Sequence, residues 1–215
     1  MNRRKALKNM GLSLGYVVAT PTLIGIVQSC NTEKVLEWTP DFFTMEEGAV
    51  ITHLVDIILP KTDTPAATEV QVDLFIDRFA DQVMQKEQQD FLKMSMGKFI
   101  EKALADSGKE NAADVVPEAL EAVLGSALRI SKEKQKANDK ALENYMGALE
   151  EGTDVKLDDN VAVNAFAKNL RGMTIWGYKT SEYVGKEVLE YLPVPGEYVS
   201  CGNTEELTGG KAWSL

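Results

Sequence analysis

Apolar side chains recur at three- and four-residue intervals along most of the chain, which is the spacing of one face of an α-helix. Thr44 and Glu47 precede the first such stretch in the spacing of a capping box, and Pro60 ends it. The stretches with this spacing are residues 50–58, 72–83, 92–104, 120–128, 141–149 and 163–173. No stretch alternates apolar and polar residues with a period of two, as a half-buried strand would. The pattern therefore predicts an all-α fold, a single helical bundle of about six helices.

Three regions fall outside this periodicity. Residues 131–140 are so polar that they are compatible either with a continued, solvated helix or with a break between helices. Residues 181–190 are expected to form a short further helix. Residues 193–202 contain two prolines and two glycines, which exclude a regular helix there. We therefore expect an irregular C-terminal tail.

The first 29 residues have the composition of an export leader. Arg3 and Arg4 resemble a twin-arginine signal, and residues 10–27 are apolar and rich in small residues. Cys30 follows a serine, with an aliphatic residue three positions before the cysteine, as in a lipoprotein cleavage box. We predict a leader over residues 1–29, export of the folded protein, lipid attachment at Cys30 and periplasmic residence at a membrane. The alternative is an uncleaved N-terminal anchor, which places the domain on the same side of the membrane.

The charge of the chain excludes one class of partner. The whole sequence has a formal net charge of −10. The leader contains four basic and no acidic side chains, which leaves 19 basic against 33 acidic ones after it, a net charge of about −14. A surface this acidic repels phosphate backbones, so we expect no nucleic-acid partner.

Residues that could hold a cofactor or perform catalysis are scarce. The sequence contains no phosphate-binding or dinucleotide-binding loop, no haem attachment motif and no cysteine cluster. His53 is the only histidine, whereas zinc and di-iron sites usually draw on several. His53 and Asp56 share a helix face, and a structural cap of the turn at Pro60 is their expected role. We therefore predict no catalytic, cofactor-binding or metal-binding residue in this chain.

Two further carboxylates, Asp73 and Asp77, are four residues apart in the second predicted helix. Paired carboxylates can perform acid–base chemistry. Pairs at this spacing are nevertheless common on helix surfaces, so we expect a solvated pair, with the adjacent Arg78 neutralising one of the two.

Aromatic side chains collect near the C-terminus. Trp176, Tyr178 and Tyr183 lie near the end of the last long helix, and Tyr198 and Trp213 lie in the tail. Two interpretations stay open: packing of the helix end and the tail on the bundle, or an exposed partner surface, since tryptophan and tyrosine are enriched at interfaces. We treat these five residues as the candidate partner surface.

Several of these segments together resemble the gluconate 2-dehydrogenase subunit 3 family. The run from Asp56 to Ala67, DIILPKTDTPAA, is similar to the family signature D-x-I-x-P-x-x-x-T-P-G-A, with Ala66 in the place of the usual glycine. The segments 42–47, 75–77, 173–178, 195–198 and 210–213 add to the likeness, and the last three resemble a lipoprotein-bearing branch. The resemblance covers most of residues 41–215. It divides the chain into a leader (1–29), a linker (30–40) and a helical domain (41–215).

The resemblance implies an accessory role. Small subunits of this family accompany a flavin-dependent dehydrogenase of the glucose–methanol–choline type and a cytochrome c subunit, so FAD and haem c are expected in partner subunits and none in this chain. The family has no catalytic residue to assign. The expected function is a non-catalytic subunit that supplies the export signal, the membrane tether and stabilisation of the catalytic subunit. The alternative is a self-standing periplasmic lipoprotein with a ligand-binding or structural role.

Replacing Cys30 with alanine is expected to release the protein from the membrane or to leave an unprocessed precursor, because the thiol carries the lipid. Membrane fractionation and electrophoretic mobility measure both effects. Cys201→Ala removes the other cysteine of the chain and should fractionate like the wild type. A Cys30→Ala variant indistinguishable from the wild type would contradict the lipid attachment.

Overall fold

The first helix, α1, spans Met45–Ile58 and begins with the predicted capping box. The hydroxyl of Thr44 accepts a hydrogen bond from the backbone N–H of Glu47 at 3.2 Å, and the Glu47 carboxylate accepts one from the backbone N–H of Thr44 at 2.9 Å. Four apolar side chains of the predicted stripe are buried: Val50, Ile51, Leu54 and Val55. In this computed structural model, the described residues are 38–109, 115–153, 155–192, 194, 196, 199 and 201–214.

The remaining elements confirm the all-α fold. The helices that follow are α2 (Val72–Gln82), α3 (Lys86–Ser107), α4 (Pro117–Leu128), α5 (Lys132–Glu150), α6 (Asp159–Thr180) and the short α7 (Thr204–Thr208). A 3₁₀ turn, Thr68–Val70, precedes α2, and a π-helical turn, Val184–Val188, follows α6. Within the described part of the chain the only β-type pairing is an isolated bridge between Glu190 and Trp213.

The structure decides one alternative that the sequence left open and adds a short helix within the irregular tail. The polar stretch 131–140 is the first half of α5, and the hydroxyl of Ser131 caps this helix by accepting from the N–H of Lys134 at 3.2 Å. Asn138 is the only buried residue of α5, so apolar spacing could not mark this half of the helix. The tail contains α7, a single turn closed by Gly209 with φ 60°.

Helix α6 is the centre of the bundle. It contacts each of the helices α1 to α5 and the π-helical turn. Its fully buried side chains Phe166 and Leu170 lie in the main apolar core, where the rings of Phe99 and Phe166 pack with centroids 5.1 Å apart. A helix surrounded on most sides buries much of its circumference, and twelve of the 22 residues of α6 are buried.

One buried polar side chain joins three helices. Asn164 of α6 donates to the carbonyl oxygen of Ala127 in α4 at 2.8 Å. Its side-chain oxygen accepts from the amide of Asn138 in α5 at 3.1 Å. A buried amide with both ends bonded holds these helices in one register, because any slip would leave a polar group unsatisfied.

Asp73 and Asp77 of α2 are buried, which corrects the expectation of a solvated pair. Asp77 accepts hydrogen bonds from the backbone N–H groups of Asp41 (2.8 Å), Phe42 (3.1 Å) and Phe43 (3.0 Å). These three hydrogen bonds stabilise the Asp77 carboxylate, which is the role that was expected of Arg78. Among the described residues no ion pair joins Arg78, which is exposed, to either carboxylate.

The second carboxylate holds the same part of the chain. Asp73 accepts from the indole Nε1–H of Trp38 at 3.1 Å and from the hydroxyl of Thr52 in α1 at 2.8 Å. We call Asp73 and Asp77 the N-terminal clamp, because together they hold residues 38–43 and α1 against α2.

Replacing Asp77 with alanine is expected to lower the free energy of unfolding by roughly 3 kcal/mol or more, because three backbone N–H groups lose their acceptor and each costs about 1–3 kcal/mol. Asp81→Ala, one turn further along α2 at an exposed position, is the matched control and should change stability little. Urea unfolding of the two variants measures the difference. Equal midpoints would show that the clamp does not stabilise the fold.

Candidate functional site

The family-like run from Asp56 to Ala67 closes α1 and leads into α2. The N–H of Ala67 donates to the carbonyl oxygen of Leu59 at 3.0 Å, which ties the two ends of the loop together. The Asp56 carboxylate accepts from both the N–H (3.0 Å) and the hydroxyl (2.9 Å) of Thr68. Asp56 therefore caps the 3₁₀ turn after the loop, a structural role like the one expected for it, and His53 is half-buried one turn earlier in α1.

An exposed ion pair borders the same loop. Lys61 contacts Glu69 at 2.5 Å, and the N–H of Ala66 donates to Glu69 at 2.8 Å. The hydrogen bond from Lys61, followed by the one from Ala66, lowers the pKa of Glu69 below its usual value. The loop is thus held by hydrogen bonds and an ion pair to Thr68 and Glu69, the residues that directly follow it.

Tyr178 is a core residue, which corrects its place in the candidate partner surface. Its side chain is buried, and its hydroxyl donates to the carbonyl oxygen of Pro65 at 2.9 Å. The end of α6 is therefore joined to the loop, and Tyr178 is not available to another protein.

Trp176 lies on the opposite, exposed side of the same helix turn. Its indole packs edge-on against the rings of Phe75 (centroids 5.0 Å apart) and Phe79 (5.1 Å), both on α2. Trp176 remains 44% exposed. We call Phe75, Phe79 and Trp176 the aromatic patch.

A glycine permits this packing. A Cβ atom built on Gly177 would lie 2.5 Å from Cδ1 of Phe75, closer than carbon atoms approach each other. Gly177 therefore lets α6 come near enough to α2 for the ring of Phe75 to lie against Trp176.

The tail is attached to the body near the π-helical turn. The N–H of Glu190 donates to the carbonyl oxygen of Ala212 at 2.9 Å, and the N–H of Ser214 donates to the carbonyl oxygen of Glu190 at 2.8 Å. Trp213 lies between these two bonds and is 48% exposed. Tyr183, just before the π-helical turn, is 55% exposed. Tyr198 falls outside the described residues.

A groove of about 410 Å³ lies where the loop meets the end of α6. Pro65, Val70 and Gln71 line one side, and Ser181 and Tyr183 line the other. Gln71 has a φ of 60°, the one left-handed non-glycine residue in the described part of the chain. The groove places Tyr183 beside the family-like loop, an arrangement that sequence spacing could not reveal.

Most exposed large apolar side chains of the described residues lie late in the chain. Eight of the thirteen follow residue 175: Trp176, Tyr183, Tyr191, Leu192, Val194, Val199, Leu207 and Trp213. Trp176, Tyr183 and Trp213 from the sequence prediction are therefore exposed, and so are Tyr191 and four aliphatic residues that the search for aromatic residues missed.

The described residues contain no group of three or more histidine, cysteine, aspartate or glutamate side chains that could hold a metal ion. Cys201 is a free, exposed thiol. Arg3, Arg4 and Cys30 lie outside the described residues. Of the helices that the structure describes, none has both the length and the apolar character required to cross a bilayer.

The family model described as gluconate 2-dehydrogenase subunit 3 matches residues 45–196. This range contains α1 to α6, the family-like loop, the aromatic patch and the π-helical turn. No curated protein and no solved structure matches the chain.

Replacing Gly177 with alanine is expected to destabilise the protein by about 1–3 kcal/mol, because the added methyl group displaces the ring of Phe75. Gly172→Ala is the matched control, since a Cβ there meets no atom within 4 Å and the position is exposed in the same helix. That control should gain roughly 0.5–1 kcal/mol from the better helix propensity of alanine. Urea unfolding followed by tryptophan emission measures both, and equal shifts in the same direction would contradict the close approach.

Proposed function

The chain belongs to the gluconate 2-dehydrogenase subunit 3 family, and on this basis we propose that it is the non-catalytic small subunit of an exported, flavin-dependent sugar dehydrogenase complex. In this proposal a glucose–methanol–choline-type partner carries FAD and oxidises the sugar, and a cytochrome c subunit with haem c accepts the electrons. This chain contributes the twin-arginine signal with Arg3 and Arg4, the lipid anchor at Cys30, and a surface that stabilises the catalytic subunit.

The observation that carries the proposal is the exposure of Trp176, which lies with Phe75 and Phe79 in the aromatic patch. Removing apolar surface from water contributes about 25 cal/mol per Å², so an exposed patch of this kind favours a protein partner. Partly exposed aromatic residues supported by a rigid base are typical anchors of protein interfaces. The aromatic patch has such a base, because Phe75 and Phe79 project from one helix and Trp176 from another.

Stabilisation of the catalytic subunit follows from mass action. A partner that binds only the folded dehydrogenase adds RT ln(1 + [L]/Kd) to its free energy of unfolding, about 2.7 kcal/mol when the free partner is at 100 times Kd. An accessory subunit can therefore act through binding alone. This agrees with a chain in which the sequence offers no cofactor motif.

One observation favours the alternative of a self-standing ligand-binding lipoprotein. A second groove of about 670 Å³ lies between the end of α1, α4 and α6. Its lining combines apolar side chains such as Ile57 and Leu128 with two basic and two acidic ones: Arg129, Arg171, Glu118 and Glu121. A ligand with an apolar body and polar groups of both charges would fit this lining, and isothermal titration of the purified protein against such ligands separates this role from subunit binding.

The test of the accessory role is binding to the flavin-dependent dehydrogenase subunit. Replacing Trp176 with glutamate places a charge at the centre of the aromatic patch and is expected to cost about 2 kcal/mol or more, roughly 30-fold in Kd. Leu149→Glu on α5 is the control, because Leu149 (45%) and Trp176 (44%) have nearly equal exposed fractions. Co-purification and titration of the two variants against the dehydrogenase measure the effect.

Two results would contradict the proposal. Failure of the wild-type chain to bind a flavin-dependent dehydrogenase would remove the accessory role. Equal weakening by Trp176→Glu and Leu149→Glu would leave the complex in place but move its interface away from the aromatic patch.

A further inference from the structure

We propose that the N-terminal clamp orients the domain on the membrane, so that the surface around Trp38, Asp41 and Met45 faces the lipid bilayer. This inference rests on the proposed lipid attachment at Cys30. It adds to that proposal the face of the domain that the anchor holds toward the membrane.

The clamp fixes the point at which the chain enters the folded body. Asp77 binds three consecutive backbone N–H groups, those of residues 41–43, and Asp73 binds the indole of Trp38. On the other side of the segment, the ammonium group of Lys93 in α3 lies 4.7 Å from the ring centroid of Phe42 and 5.2 Å from that of Phe43. Lys93 also pairs with Glu47 in the first turn of α1. The described chain is therefore held against the body from Trp38 onward, well before the first helix.

The chain between the lipid and this point is short. Seven residues, 31–37, separate Cys30 from Trp38, and a fully extended chain of that length brings the two α-carbons no further apart than roughly 29 Å. A globular domain of the size of residues 38–215 has a radius of gyration of about 16 Å and therefore a diameter of roughly 40 Å. This diameter exceeds the reach of the tether, so an anchored domain can tilt but cannot present its opposite end to the bilayer.

The clamp and the aromatic patch lie on opposite flanks of α2. At about 100° per residue, the mean directions of the Asp73–Asp77 pair and the Phe75–Phe79 pair differ by roughly 160° around the helix axis. Between them, the stripe with Val72 and Ile76 faces the core. The tether thus leaves on one flank, while the aromatic patch on the other flank stays open to a protein.

The charges of the bilayer-facing surface favour a small distance between the domain and the lipid headgroups over direct binding to them. Asp41 and Glu46 are exposed next to the exit point, and carboxylates are repelled by anionic headgroups. The tether, and not attraction to the lipid, then sets the distance.

The experiment compares two cysteine labels on vesicle-bound, lipidated protein that carries Cys201→Ser. Met45→Cys lies at the exit surface, and Ala105→Cys is an exposed position on α3, twelve residues or about 18 Å beyond Lys93. Each cysteine is introduced into two forms of the protein. One form has the natural tether, residues 31–37, and the other has about 20 glycine and serine residues inserted between Lys34 and Val35, which adds roughly 25 Å of root-mean-square reach. The probe is a bulky polyethylene-glycol maleimide, and the readout is its reaction rate.

We expect the cysteine at position 45 to react several-fold more slowly on the natural tether than on the long one, and the cysteine at 105 to react equally on both. Asp77→Ala on the natural tether should raise the rate at position 45, whereas Asp81→Ala should not. Suppose that the variants bind vesicles but the cysteine at position 45 reacts at the same rate on both tethers. Suppose instead that the natural tether lowers the reaction rate equally at positions 45 and 105. Either result would refute the orientation while leaving the lipid anchor in place. Failure of every variant to float with vesicles would refute the anchor and the orientation with it.

Discussion

A carboxylate that is removed from water must receive hydrogen-bond donors in return, and this requirement organises the N-terminal half of the domain. Asp77 is fully buried and is satisfied by three consecutive backbone N–H groups that precede α1. These bonds hold residues 41–43, just before α1, against α2. They fix how the chain enters the domain and leave the opposite flank of α2 to the aromatic patch.

The second organising contact is the close approach of α6 to α2. Gly177 allows it, because a glycine leaves room for the ring of Phe75. The next residue, Tyr178, stabilises it by donating a hydrogen bond to the carbonyl oxygen of Pro65. The same turn of α6 therefore packs Tyr178 into the core on one side and exposes Trp176 on the other. A surface built in this way is rigid before any partner arrives, which reduces the conformational entropy lost on binding.

The fold class, the capping box of α1 and most helix positions could be predicted from the sequence, because apolar spacing and capping residues are local signals. The burial of Asp73 and Asp77 could not, because their partners lie 21 to 36 residues away and helical spacing is the same for a solvated pair. For the first half of α5 the sequence left a helix and a break equally possible, because its one buried residue, Asn138, is polar and gives no apolar spacing. Tyr178 was grouped with Trp176 by proximity in sequence, whereas the helix turns the two side chains in different directions. The leader, with Arg3, Arg4 and Cys30, stays a prediction.

The long sequence separation within the clamp has a consequence for the order of events during synthesis. Residues 41–43 leave the ribosome before α2 does, and their acceptor Asp77 arrives 34 to 36 residues later. At a synthesis rate of about 5–20 residues per second, residues 41–43 are complete roughly two to seven seconds before their acceptor is made. Whether this junction is ordered therefore reports on the folding of the domain that follows it, at a point shortly after the predicted leader.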